Sequence, residues 1–183
     1  MITYIALLRG INVGGKNLIP MAGLRAMAEK LGYQEPKTLL QSGNMVFSAE
    51  EKDPAVVERN LEAAIATHFG KEIKVLIRSA ADWAAIIAAN PFADETAADP
   101  SHLLVVPTRE EVPAPRLADL RAMIEGREKI EAVGRTLYVV FPDGIGHSKV
   151  AGKFTDKNLG THSTGRNWNT VIKLAALAGL PGV

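Results

Sequence analysis

The apolar positions of this chain switch repeatedly between a continuous or alternating pattern and a spacing of three and four. Each switch marks an element. Residues 2–8 form a short, nearly unbroken apolar run, as expected of a strand covered on at least one face. Pro20 suits the first position of a helix. Leu24, Met27, Ala28 and Leu31 then recur at three and four, which predicts a helix over 21–31 closed by Gly32. Residues 38–41 and 44–48 read as two strands joined at Ser42-Gly43. Asp53-Pro54 opens a second helix with Val57, Leu61, Ala64, Ile65 and His68 on one face and Gly70 as its stop. Ile73, Val75 and Ile77 alternate and predict a strand over 72–78. The order β-α-β-β-α-β is that of a ferredoxin-like unit.

After residue 78 the pattern restarts. Ser79 heads a helix carrying Trp83, Ile86 and Ile87, which ends at Asn90-Pro91. Residues 92–100 read as an acidic loop, 102–106 as a strand and 117–124 as a helix. Residues 129–133 and 136–141 form a hairpin turning at Gly134-Arg135. A helix is predicted over 149–159 and another over 166–177, with Thr161, Ser163 or Thr164 placed to cap the latter. The expectation is an α+β protein in two parts. Residues 1–78 form the ferredoxin-like subdomain, and 79–183 a second α+β subdomain (βαββ) with C-terminal helices, a second but incomplete copy of the same element order.

Composition narrows the chemistry. The 183 residues are 47% hydrophobic and 22% charged with a net charge of +1, which suits a globular fold and neither a disordered tail nor a polycation. Without cysteine, disulfides and thiolate metal sites are excluded. Residues 2–8 are too short to span a bilayer, so no membrane association and a cytoplasmic location are expected. Residues 144–183 hold five basic side chains and one acidic, so an anionic partner suits that segment.

The chemistry gathers in residues 9–17, Arg-Gly-Ile-Asn-Val-Gly-Gly-Lys-Asn, where three glycines, two asparagines and two cations follow the first strand. Gly10 to Lys16 has the spacing of a phosphate-binding P-loop, but Asn17 stands where magnesium needs a hydroxyl, and Pro20 delays the helix by a turn. Nucleotide hydrolysis is therefore disfavoured. In a ferredoxin-like sheet the first and third strands are antiparallel neighbours, which brings Gln41, Ser42, Gly43 and Asn44 beside this loop. Arg9, Gly10, Asn12, Gly14, Gly15, Lys16 and Asn17 with residues 41–44 make a candidate anion site. Lys149, Lys153 and Lys157 would line one helical face, and Arg166 and Asn167 would open the last helix as a further anion-binding end. No acid or histidine lies in the two N-terminal corners. Asp143, His147 and Ser148 are the remaining candidates for base or nucleophile, and His147 with His162 lack the carboxylates a metal site needs.

Three stretches together carry a resemblance: residues 6–16 (ALLRGINVGGK), 41–47 (QSGNMVF) and 166–171 (RNWNTV). They resemble the bacterial domain-of-unknown-function family 1697. The resemblance implies an α+β fold with a ferredoxin-like subdomain and brings no established activity or cofactor. The residues point to a binder of a phosphate-bearing or other anionic ligand, nucleotide or nucleic acid included, with no cofactor. The alternatives are a phosphoryl-transfer or hydrolytic enzyme using His147 or Asp143, and a protein-interaction module dimerising through a free sheet edge. For nucleic acid specifically the sequence is discouraging: aromatics are only 5%, and no aromatic-rich strand resembles an RNA-stacking platform.

Overall fold

The computed structural model describes residues 1–182. By its internal contacts the chain forms two compact units. One is Met1–Ala85 with the chain from Lys173 onward; the other is Ile86–Ile172.

The first unit contains strand β1 (Ile2–Leu8), helix α1 (Met21–Lys30), strands β2 (Gln34–Leu39) and β3 (Asn44–Ala49), helix α2 (Pro54–Phe69) and strand β4 (Val75–Ser79). All pairings are antiparallel in the order β2-β3-β1-β4, the ferredoxin-like arrangement. The core lies where one face of the sheet meets the two helices. Tyr4, Ala6 and Leu8 of β1 alternate with Met45 and Phe47 of β3, against Leu24, Met27 and Ala28 of α1 and Val57, Leu61 and Ile65 of α2. Leu31, expected on the buried stripe of α1, is 38% exposed because the helix ends at Lys30. Helix α2 starts as its sequence dictates. Asp53 accepts the Ala55 amide at 2.9 Å, Pro54 follows, and Gly70 closes the helix in the left-handed conformation.

The edges of this sheet are blunted. Strand β2 begins earlier than the apolar pattern indicates, and a register shift between Gln34 and Lys37 brackets Glu35, at φ 48°, and Pro36. A bulge and a proline disrupt pairing along an edge. On the far edge, the Val75 and Ile77 amides are taken by Glu62 (3.0 Å) and Glu58 (3.2 Å), one turn apart on α2.

The second unit also contains four strands. They are β5 (Leu103–Pro107), β6 (Lys129–Val133), β7 (Thr136–Val140) and β8 (Arg166–Asn167), in the order β6-β7-β5-β8. This repeats the order of the first sheet strand for strand, so the expected incomplete βαββ copy is corrected: β8 completes it. Helix α3 (Ala80–Ala88) leads into this unit and is headed by a capping box, with Ser79 Oγ accepting the Asp82 amide and Asp82 accepting the Ser79 amide. Helix α4 (Ala93–Ala98) replaces the expected acidic loop. Its first turn carries Asp94 and Glu95, which favour a helix start, and Thr96 Oγ1 anchors it to the Phe92 carbonyl at 2.6 Å. Helix α5 (Ala114–Ala122) precedes the β6–β7 hairpin. Here the core is built from Val106, Leu120, Ile130, Leu137, Val139, Phe141, Val150 and Leu159.

Two C-terminal expectations fail. The helix expected over 149–159 is a 3₁₀ turn at Ala151–Lys153 and the one-turn helix α6 (Asp156–Leu159). Ser148 Oγ draws off the Val150 amide, and Thr155 caps a new start by accepting from Asn158 at 3.3 Å. The lysine stripe therefore does not form. The last helix, α7 (Trp168–Leu177), starts after β8 and not at Arg166. Asn167 caps it, accepting the Thr170 amide at 2.9 Å, in place of the expected Thr161, Ser163 or Thr164.

Candidate anion site at one end of the first sheet

Residues 9–20 leave β1 and fold back as a small hairpin. The Lys16 amide bonds the Val13 carbonyl at 3.0 Å, and the Asn12 amide bonds the Asn17 carbonyl at 3.2 Å. Gly14 and Gly15 sit between Val13 and Lys16 at φ 57° and 72°. Two successive left-handed residues closed by that bond make a type I′ turn, which a Gly-Gly pair adopts without steric cost. The loop therefore does not wrap a phosphate as a P-loop does. Gly14, Gly15 and Lys16 are exposed at its tip, and the two glycine amides make no hydrogen bond among the described residues.

The asparagines fix this shape from within. Asn12, at φ 53°, donates to the carbonyls of Ile19 (3.1 Å) and Gln41 (2.7 Å) and accepts the Ile19 amide at 2.8 Å. Asn17 donates to the Gly10 carbonyl at 3.2 Å. Asn44, fully buried, donates to the Leu39 carbonyl (2.8 Å) and to Ser42 Oγ (3.1 Å). These amide groups are engaged within the chain and act as positioning groups.

Backbone bonds join three loops here. Leu8 N–H donates to Gly43 at 2.7 Å, Arg9 N–H to Lys74 at 2.9 Å, and Leu7 pairs with Asn44 in register. Gly43, at φ 85°, is confined: a Cβ there would lie 2.8 Å from Leu8 Cβ and 2.9 Å from Ile11 Cδ1. Residues 9–20, 40–44 and 70–74 together present Arg9, Lys16, Lys71 and Lys74, with Glu72 as their one carboxylate. Lys74 is shared with Glu62 of α2 at 3.4 Å. Gln41 and Ser42 are exposed beside them. Lys71 and Lys74 escaped the sequence reading, although the topology that set residues 41–44 beside Arg9 also brings the start of β4 there.

The other predicted residues lie in the second unit. Lys149 pairs with Glu125 at 2.6 Å, and each holds the other charged: the carboxyl falls below its usual range and the ammonium rises above its own. Lys153 ends the 3₁₀ turn. Arg166 is 8% exposed and donates to Thr164 Oγ1 (2.7 Å) and the Gly165 carbonyl (2.8 Å); burial pulls its pKa down to about 10. A cleft of about 250 Å³ is floored by Phe141 and Val150 and lined by Glu128, Asp143, His147 and Ser148. In it Ser148 Oγ donates to Glu128 at 2.5 Å, and Asp143 is held ionised by Arg127, which lowers its pKa. Among the described residues no cluster of three or more His, Asp or Glu side chains is placed to hold a metal. Nor is any helix among them long and apolar enough to cross a membrane.

A pair of antiparallel four-stranded sheets with matching strand order, the first bearing a projecting glycine hairpin, defines an α+β protein with a doubled ferredoxin-like plan. Residues 1–138 match the model of the protein family of unknown function DUF1697, and the chain belongs to that family. The conserved bacterial protein SP0830 from Streptococcus pneumoniae shares the fold, with a TM-score of 0.76 and 24% identity over 97% of this chain and 98% of its own. No curated protein matches the sequence.

Proposed function

We propose that the end of the first sheet binds a phosphate-bearing or otherwise anionic ligand without catalysing a reaction on it. One observation carries the reading. Three loops tied together by the Leu8–Gly43, Arg9–Lys74 and Asn12–Gln41 hydrogen bonds carry four cations, Lys74 shared with Glu62, along with exposed Gln41 and Ser42 and the open amides of a I′ turn. Preorganised donors of this kind favour anions because little ordering is left to be done on binding. Arg9, Lys16, Lys71 and Lys74 supply charge, while the glycines and asparagines supply shape.

Calorimetry with pyrophosphate tests this. The wild-type chain should bind, and Arg9→Ala with Lys16→Ala should remove binding while circular dichroism and thermal unfolding stay near wild type. Unchanged binding in the folded double variant would overturn the reading.

The hydrolytic alternative rests on the second-unit cleft, where Ser148, Glu128 and His147 converge. It requires a turnover that His147→Ala abolishes. Dimerisation through the first sheet is disfavoured, because a bulge guards one edge and two carboxylates guard the other.

A further inference from the structure

We propose that the anion held at this sheet end is the sugar–phosphate backbone of double-stranded DNA, with the 13–16 hairpin set against a groove. This rests on the anion site above and names its ligand class. The cations are carried on three separate loops, an arrangement suited to meeting successive phosphates along a chain as well as a small anion. The hairpin projects, and Val13 and Lys16 are cross-strand partners beside its turn. The DNA major groove admits a two-stranded ribbon, and a turn closed by a single bridge is no wider than one.

Val13 is 64% exposed, Leu18 60% and Leu40 55%, so aliphatic surface flanks the cations. Such surface can pack against sugars and thymine methyl groups. A single strand fits less well. Residues 9–20, 40–44 and 70–74 contain no aromatic side chain, so unstacked bases would find no platform. A-form RNA fits less well too, since its major groove is too deep and narrow for side chains to read. The exposed polar side chains beside the hairpin, Lys16, Asn17, Gln41 and Ser42, are few, so binding is expected to be nearly independent of sequence.

The test is fluorescence anisotropy of the full chain with a labelled DNA duplex across 50–200 mM salt, alongside a matched single strand and pyrophosphate. The duplex should bind more tightly than the single strand, with a logarithmic salt slope of roughly −3 for three to four phosphate contacts. Lys16→Ala should weaken duplex binding by roughly five- to tenfold and reduce the slope by about one. Val13→Ser should weaken the duplex and leave pyrophosphate binding intact. Lys30→Ala, at the far end of α1, should change neither. Pyrophosphate binding without duplex binding would overturn the DNA assignment and leave the anion site standing, whereas loss of both would overturn both. A tighter single strand, or a duplex indifferent to Lys16→Ala, would also overturn it.

Discussion

The side-chain amide of Asn12 donates to the carbonyl of Gln41 across 2.7 Å, and this bond fastens the glycine hairpin to the turn between β2 and β3. The same side chain holds Ile19 through both its amide and its carbonyl, so one side chain makes three of the loop's hydrogen bonds. Asn12→Ala should cost about 1–3 kcal/mol. Asn12→Asp should cost more, because a carboxylate would face two carbonyl oxygens that now accept from the amide. Urea unfolding, together with hydrogen exchange of the 12–19 amides, checks the order.

The glycines of the site divide by cause. At Gly43 both the positive φ and the contact with Leu8 and Ile11 forbid a side chain, so Gly43→Ala should cost about 2–4 kcal/mol. At Gly14 and Gly15 a Cβ meets nothing within 4 Å, which leaves the conformational cost alone, about 1–2 kcal/mol each for alanine. Equal losses at Gly43 and Gly14 in thermal unfolding would contradict this packing.

Glu58 and Glu62 satisfy the outward amides of β4. Replacing both with alanine should leave those amides open as a pairing edge, lower stability by about 1–3 kcal/mol and promote self-association. Glutamine at both positions keeps an acceptor and should stay nearer wild type. Sedimentation velocity of the two variants separates these outcomes.

In the second unit, Tyr138 is buried and donates its hydroxyl to the Ile86 carbonyl at 2.7 Å. Burial pushes its pKa up to about 12 from an ordinary value of 10.0. The folded state thus holds the proton more tightly than the unfolded chain does. The associated stability is full below pH 10.0 and is lost as pH rises toward 12. Alkaline unfolding should steepen across that window, and Tyr138→Phe should flatten it while lowering stability at neutral pH through loss of the hydrogen bond.

Much of the first unit was legible in its sequence because its signals are local. The Asp53-Pro54 start, the Gly70 stop and the alternating runs each fix an element without outside help. The meeting of residues 41–44 with the glycine loop followed from strand order. Elsewhere the deciding contacts lie beyond a periodicity window. Strand β8 is two residues long and exists because Arg166 and Asn167 pair with Val105 and Leu104 on β5. The lysine spacing over 149–157 suggested a helix, but Ser148 and Thr155 hydrogen bonds break the segment into two shorter pieces. At the site, Gly14 and Gly15 form a I′ turn, a shape the glycine spacing alone does not distinguish from a phosphate-wrapping loop. The asparagines read as ligand donors bind the loop itself.

The most direct measurement is an amide-resolved NMR titration of the full chain with pyrophosphate. Binding at the sheet end predicts shifts concentrated at Gly14, Gly15, Lys16, Gln41 and Ser42, and their disappearance in Arg9→Ala with Lys16→Ala. Shifts elsewhere, or shifts at these amides that persist in the folded double variant, would contradict it.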